Sequence, residues 1–105
     1  IRAWGDFWET DGFFFVHGNY EPDRPIASQR YRYFRWLALR DSVPDPHCSG
    51  KTAIVGHTSQ KSGEVLDLGY IKCIDTYCHG GGWLTALEPD TGQLWQADLQ
   101  GRLRQ

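Results

Sequence analysis

A mixed α/β fold, strand-rich with one main helix, is predicted by three observations. Phe13-Phe-Phe-Val16 and Lys51-Thr-Ala-Ile-Val55 are short apolar-rich runs that each stop at glycine and histidine, the pattern of strands covered on both faces. Between them Ile26, Tyr33, Phe34 and Leu37 recur at helical spacing while Arg32 and Arg35 project away, which predicts a helix from about Ile26 to Leu39. Farther on, Trp83 to Glu88 and Gln93 to Ala97 flank Pro89-Asp-Thr-Gly92, a hairpin signal with proline and glycine at turn positions.

The remaining elements follow in order. Thr10-Asp-Gly12 is a turn, and Gly5-Asp6 reads as turn chemistry too. Glu21-Pro-Asp-Arg-Pro25 is a loop that leads into the helix, and Asp41 to Gly50 is a second loop by its proline, glycine and serine content. Glu64 to Asp67 and Tyr70 to Asp75 are short strands around a tight turn at Leu68-Gly69. Gly80-Gly-Gly82 permits close backbone approach, and Asp98-Leu-Gln-Gly101 is a last turn.

With 105 residues and 40% hydrophobic composition, the chain has the size of one small domain. It holds no apolar run of about 18 residues and opens with no basic-then-apolar segment. The expectation is therefore a cytoplasmic chain with no membrane partner. A formal net charge of −2 gives no electrostatic footprint for nucleic acid. Cys48, Cys73 and Cys78 are an odd number of cysteines, expected as reduced thiols. The chain starts at Ile1, with aromatic-rich sequence from Trp4 onward, and is expected to be part of a longer protein.

The chemistry concentrates at two histidines. Each apolar strand delivers one at its carboxyl end, His17 before a glycine and His57 after one. Strands that neighbour each other in one sheet would set the two imidazoles side by side, at the edge where open α/β sheets hold ligands. Neutral imidazole is a ligand for zinc, manganese or iron, and the adjacent glycine clears space for an ion. Two ligands do not complete a catalytic site, which takes three or more protein groups. His47, Cys48, Cys73, Cys78 and His79 are local alternatives, but Cys73 and Cys78 are not spaced as a zinc knuckle.

Three ordered segments, Phe13 to Tyr20 (FFFVHGNY), Gly50 to Thr58 (GKTAIVGHT) and Leu68 to Glu88 (LGYIKCIDTYCHGGGWLTALE), resemble the carboxyl-terminal half of calcineurin-like metallophosphoesterases. The likeness is to the branch of bacterial serine/threonine protein phosphatases and diadenosine tetraphosphatases. It implies a two-sheet β-sandwich flanked by helices, with residues 1–105 as the carboxyl-terminal half of a single domain whose amino-terminal half is absent. His17 and His57 would then be metal ligands in a dinuclear centre of manganese, iron or zinc. The main catalytic groups would lie in three motifs upstream of Ile1.

The implied reaction is hydrolysis of a phosphate ester, on a phosphorylated protein or a nucleotide polyphosphate, by metal-activated water. The complete parent would be the enzyme and the isolated chain inactive. The family's phosphate-holding arginine, two residues after a helix tryptophan, is missing after Trp36, and Arg40 stands as its replacement. Tyr77 occupies the position usually taken by glycine after Ile-Asp-Thr, where its hydroxyl faces substrate or narrows the cleft. Asp75 reads as a loop anchor and Thr58 as a partner of backbone. Two other functions compete with this one. The first is a binding module built on Arg30-Tyr-Arg-Tyr-Phe-Arg-Trp36, which interleaves cations with aromatics. The second is a non-catalytic remnant that keeps both histidines without metal.

Overall fold

The structure, a computed structural model, describes residues 7–104. Trp4 and the Gly5-Asp6 pair lie outside the described residues. The chain is mixed α/β and strand-rich, with a five-stranded sheet, a two-stranded sheet and one short α-helix. The larger sheet holds β1 (Phe7–Glu9), β2 (Phe13–Val16), β3 (Thr52–Val55), β4 (Leu66–Asp67) and β5 (Ile71–Cys73) in the order β1-β2-β3-β5-β4. Its centre is parallel, β2 beside β3 and β3 beside β5, and its outer strands are antiparallel. The smaller sheet is the hairpin β6 (Leu84–Leu87) and β7 (Leu94–Ala97) around the predicted turn.

The parallel centre explains the apolar runs. Phe14, Val16, Ala53, Val55, Ile71 and Cys73 point into one core with Tyr20, Ile26, Phe34 and Leu39. Phe13 and Phe15, on the opposite face of β2, are half-buried, so that strand is fully covered on one face. Phe14 is wholly buried, edge-on to Tyr20 at 5.2 Å and against His47 at 5.1 Å between ring centroids. Burial pushes the Tyr20 phenol well above its ordinary pKa, and its hydroxyl donates to the Asp45 carbonyl at 2.7 Å. This satisfies the one polar atom that the ring carries inward.

The predicted helix from Ile26 to Leu39 is corrected. It is a 3-10 turn at Ile26–Ser28 followed by α1 at Tyr31–Arg35. Gln29 and Arg30 between them are extended, with ψ of 144° and 142°. The cause is competition from side chains for backbone groups. The Gln29 amide accepts from Glu21 N and donates to the Glu21 and Arg24 carbonyls, at 2.5, 2.8 and 2.7 Å. The Glu21 carboxylate accepts from the Arg30 backbone N–H at 2.9 Å and from its guanidinium. Those Arg30 hydrogen bonds hold the Glu21 carboxyl below its ordinary range. Strand β1 was not predicted, since Trp8 at its centre is 71% exposed and shows no alternation. Among the described residues no helix is long and apolar enough to cross a membrane.

Candidate metal centre

Strands β2 and β3 are parallel neighbours with Phe15 opposite Ile54, so both chains leave the sheet at the same edge. The ladder runs on one step, Gly56 N donating to the His17 carbonyl at 2.8 Å. The backbone then turns sharply at His57, whose φ of 67° is left-handed, a conformation in which histidine is enriched over most side chains. On the other side Gly18 N donates to the Phe34 carbonyl at 2.6 Å. A Cβ at Gly18 would sit 3.1 Å from the carbonyl oxygens of Phe34 and Leu37, so the absence of a side chain lets this turn press against the end of α1.

The two imidazoles meet there. His17 Nε2 lies 3.1 Å from His57 Nδ1, and the ring centroids are 4.8 Å apart. His57 Nε2 lies 3.1 Å from the Trp36 carbonyl oxygen. A carbonyl only accepts, so Nε2 of His57 carries the proton, and its Nδ1 lone pair accepts the hydrogen bond that His17 Nε2–H donates. A backbone carbonyl fixing the far N–H is the arrangement that orients metal-ligating histidines. His17 is exposed, and the desolvation it still meets at the sheet edge lowers its pKa, with repulsion from His57 and Arg35 adding to it and the Asp75 carboxylate opposing it. The neutral form, the one able to ligate, is thereby favoured.

The pair passes a simple fit test. Two nitrogens each about 2.0–2.1 Å from a shared ion, at angles between octahedral and tetrahedral, stand roughly 2.8–3.4 Å apart; the 3.1 Å separation lies inside that span and is also the length of the hydrogen bond that joins the two rings. Among the described residues no group of three or more His, Cys, Asp or Glu is placed to hold a metal. The two imidazoles alone are fewer than the three or more protein groups that a catalytic metal site takes. His47 is buried, bonded to Ser49 and to the Arg24 carbonyl. Cys73 is buried with its thiol on the Thr58 carbonyl at 3.2 Å, and burial raises its pKa. All three cysteines are free thiols.

Arg40 and Tyr77 come together as lining residues of one cleft of about 610 Å³, which also reaches Thr58 beside His57. Thr58 ties together two loops that line the cleft, its hydroxyl accepting from Leu39 N at 2.6 Å. Asp75 anchors the facing loop, accepting from the Ser59 hydroxyl and from Tyr77 N, each at 3.3 Å. Tyr77 is left-handed at φ 70°, a glycine-like backbone held by a bulky residue. Its ring packs on Gly80 and lies edge-on to His79 at 5.0 Å.

Gly82 closes this loop, donating to the Tyr77 carbonyl at 2.7 Å. A Cβ at Gly82 would stand 2.1 Å from the Thr76 carbonyl oxygen. Gly82→Ala is expected to lower stability by about 1–3 kcal/mol or more through forced backbone movement. Gly12→Ala, where a Cβ meets nothing within 4 Å, is expected to stay within about 0.5 kcal/mol. Equal urea midpoints for the two variants would contradict this account.

Arginines in and just before α1 lie on its tyrosines, Arg35 over Tyr31 at 4.9 Å and Arg30 over Tyr33 at 5.4 Å. These contacts take up rings that a base-stacking module would offer. Sequence reading missed the Trp36 carbonyl at the histidine pair, which no side-chain pattern marks, and Lys61, which lines the same cleft as Arg40. Comparison of the chain with protein-family models, with curated proteins and with solved structures returns no match, so the family resemblance rests on its three ordered motifs.

Proposed function

We propose that this chain supplies part of the centre of a metal-dependent phosphoesterase of the serine/threonine protein phosphatase type. His17 and His57 are two ligands of one divalent ion, manganese, iron or zinc, in a dinuclear site. The observation that carries the reading is the 3.1 Å approach of His17 Nε2 to a His57 Nδ1 lone pair whose tautomer the Trp36 carbonyl fixes. Two further features support it. Tyr77 keeps a left-handed backbone at the position where the resembled motif has glycine, and Arg40 shares a cleft with it.

A divalent cation held by His17 and His57 would supply Lewis-acid chemistry, activating water and offsetting the charge of a phosphate. The residues of this chain bind and orient. The Trp36 carbonyl holds the His57 ring in place by accepting its Nε2–H. Arg40 offers a planar fork of donors that matches two phosphate oxygens. Tyr77 forms part of the wall of the same cleft, its ring packed on Gly80.

Manganese is expected to raise the thermal midpoint of this chain in proportion to the logarithm of its concentration above the dissociation constant. His17→Asn is expected to remove that rise. A midpoint indifferent to manganese, cobalt and zinc in the unsubstituted chain would refute the assignment.

A further inference from the structure

The cleft that Thr58, the residue after His57, helps to line carries a charge pattern of its own, and neither His17 nor His57 is among its lining residues. Arg40 and Lys61 both line it, whereas Asp75, whose carboxylate is bonded to the lining residues Ser59 and Tyr77, does not itself line it. Among the described residues Arg24 and Arg30 pair with Glu21, Lys51 with Glu9, Lys72 with Asp67 and Arg104 with Glu64. Arg40 and Lys61 have no such partner among the described residues. The chain's net charge is −2, so two unneutralised cations on one concave surface run against its overall balance. A cleft of about 550 Å³ elsewhere shows the contrast: it is lined by Glu21, Asp23 and Arg24, where the arginine already faces a carboxylate.

The walls narrow the class of ligand. Leu39 and Leu66 give an apolar surface, and the Tyr77 ring stands between Gly80 and His79. A space of about 610 Å³ is the size of small-molecule sites. We propose that Lys61 is a specificity residue that holds a second anionic group of the substrate while Arg40 holds the phosphate to be hydrolysed. The substrate is then a small organic phosphate with two anionic groups, the second a phosphate or a carboxylate. This rests on the phosphoesterase reading for which group is cleaved, but the anion binding itself needs no metal.

The test is calorimetric titration of the whole chain in the presence of EDTA, with orthophosphate, pyrophosphate and 2-phosphoglycolate as probes. At least one two-group probe is expected to bind about tenfold more tightly than orthophosphate, the gain of one charge-assisted contact. Pyrophosphate as the tighter probe assigns a second phosphate, and phosphoglycolate a carboxylate. Lys61→Ala is expected to remove that advantage while changing orthophosphate binding less than about twofold, and Lys61→Arg to restore most of it. Lys61 is exposed, so its replacement leaves the fold intact, which circular dichroism verifies. Equal affinity for all three probes, no binding of any, or an equal loss for all three in Lys61→Ala overturns the proposal. Because EDTA removes divalent ions, a failure of the histidine pair to bind metal leaves these curves unchanged, and the two readings fail separately.

Discussion

Phe14→Ala is expected to destabilise the chain by about 3–5 kcal/mol, the cost of emptying a large aromatic site that collapses only partly. Phe14 is fully buried in the middle of β2 and touches both Tyr20 and His47. The strand it belongs to joins β1 on one side and β3 on the other, so the cavity opens where the sheet is most continuous. A small domain has about 5–15 kcal/mol in total, and much of it would go. Phe13→Ala, one position along on the half-buried face, is expected to cost clearly less. Urea unfolding followed by tryptophan fluorescence compares the two variants. A Phe14→Ala midpoint equal to that of Phe13→Ala would mean that the core is not organised around β2.

The parts of the fold that were legible are those in which a local pattern and the tertiary packing agree. Phe13–Val16 and Thr52–Val55 are runs too short for a helix and too apolar for a loop, and both became central parallel strands. Pro89 to Gly92 specified its turn by proline and glycine alone, and the flanking strands pair in register across it. The helix failed because helical spacing says nothing about distant competitors. Glu21 and Gln29 capture backbone groups across eight residues, and the extended Gln29-Arg30 link splits the segment. A side chain that satisfies a backbone group far along the chain leaves no periodic trace. The same limit applied at the site. Both histidines were visible because each ends an apolar strand beside a glycine, whereas the Trp36 carbonyl that sets the His57 tautomer is a backbone atom contributed from 21 residues away. Lys61 was passed over because a lysine in a polar loop looks solvated until the cleft around it is known.

His57→Asn is expected to weaken manganese binding by more than about a hundredfold, since altering only the groups that orient a ligand typically costs about 10–100-fold. Asparagine is the informative replacement because it tolerates the left-handed backbone found at φ 67°. Loss of metal binding can then be read without a large change in backbone strain. The affinity of the unsubstituted chain is expected to fall as pH falls, because each ligating nitrogen must be unprotonated. Desolvation of the exposed His17 ring, reinforced by His57 and Arg35, lowers its pKa beneath its ordinary 6.5, so protons compete for it only at more acid pH than for a free imidazole. The same shift acts on folding. Between the lowered value and 6.5 the unfolded chain binds more protons at this position than the folded one, so stability falls as pH falls through that interval and is level above it. His17→Asn should flatten that acid slope while leaving stability near pH 8 little changed. Manganese titrations at pH 8, 7 and 6, paired with urea unfolding at the same values, measure both effects. A metal affinity that rises toward acid pH, or an acid slope that His17→Asn leaves untouched, would place the proton-sensitive group elsewhere in the chain.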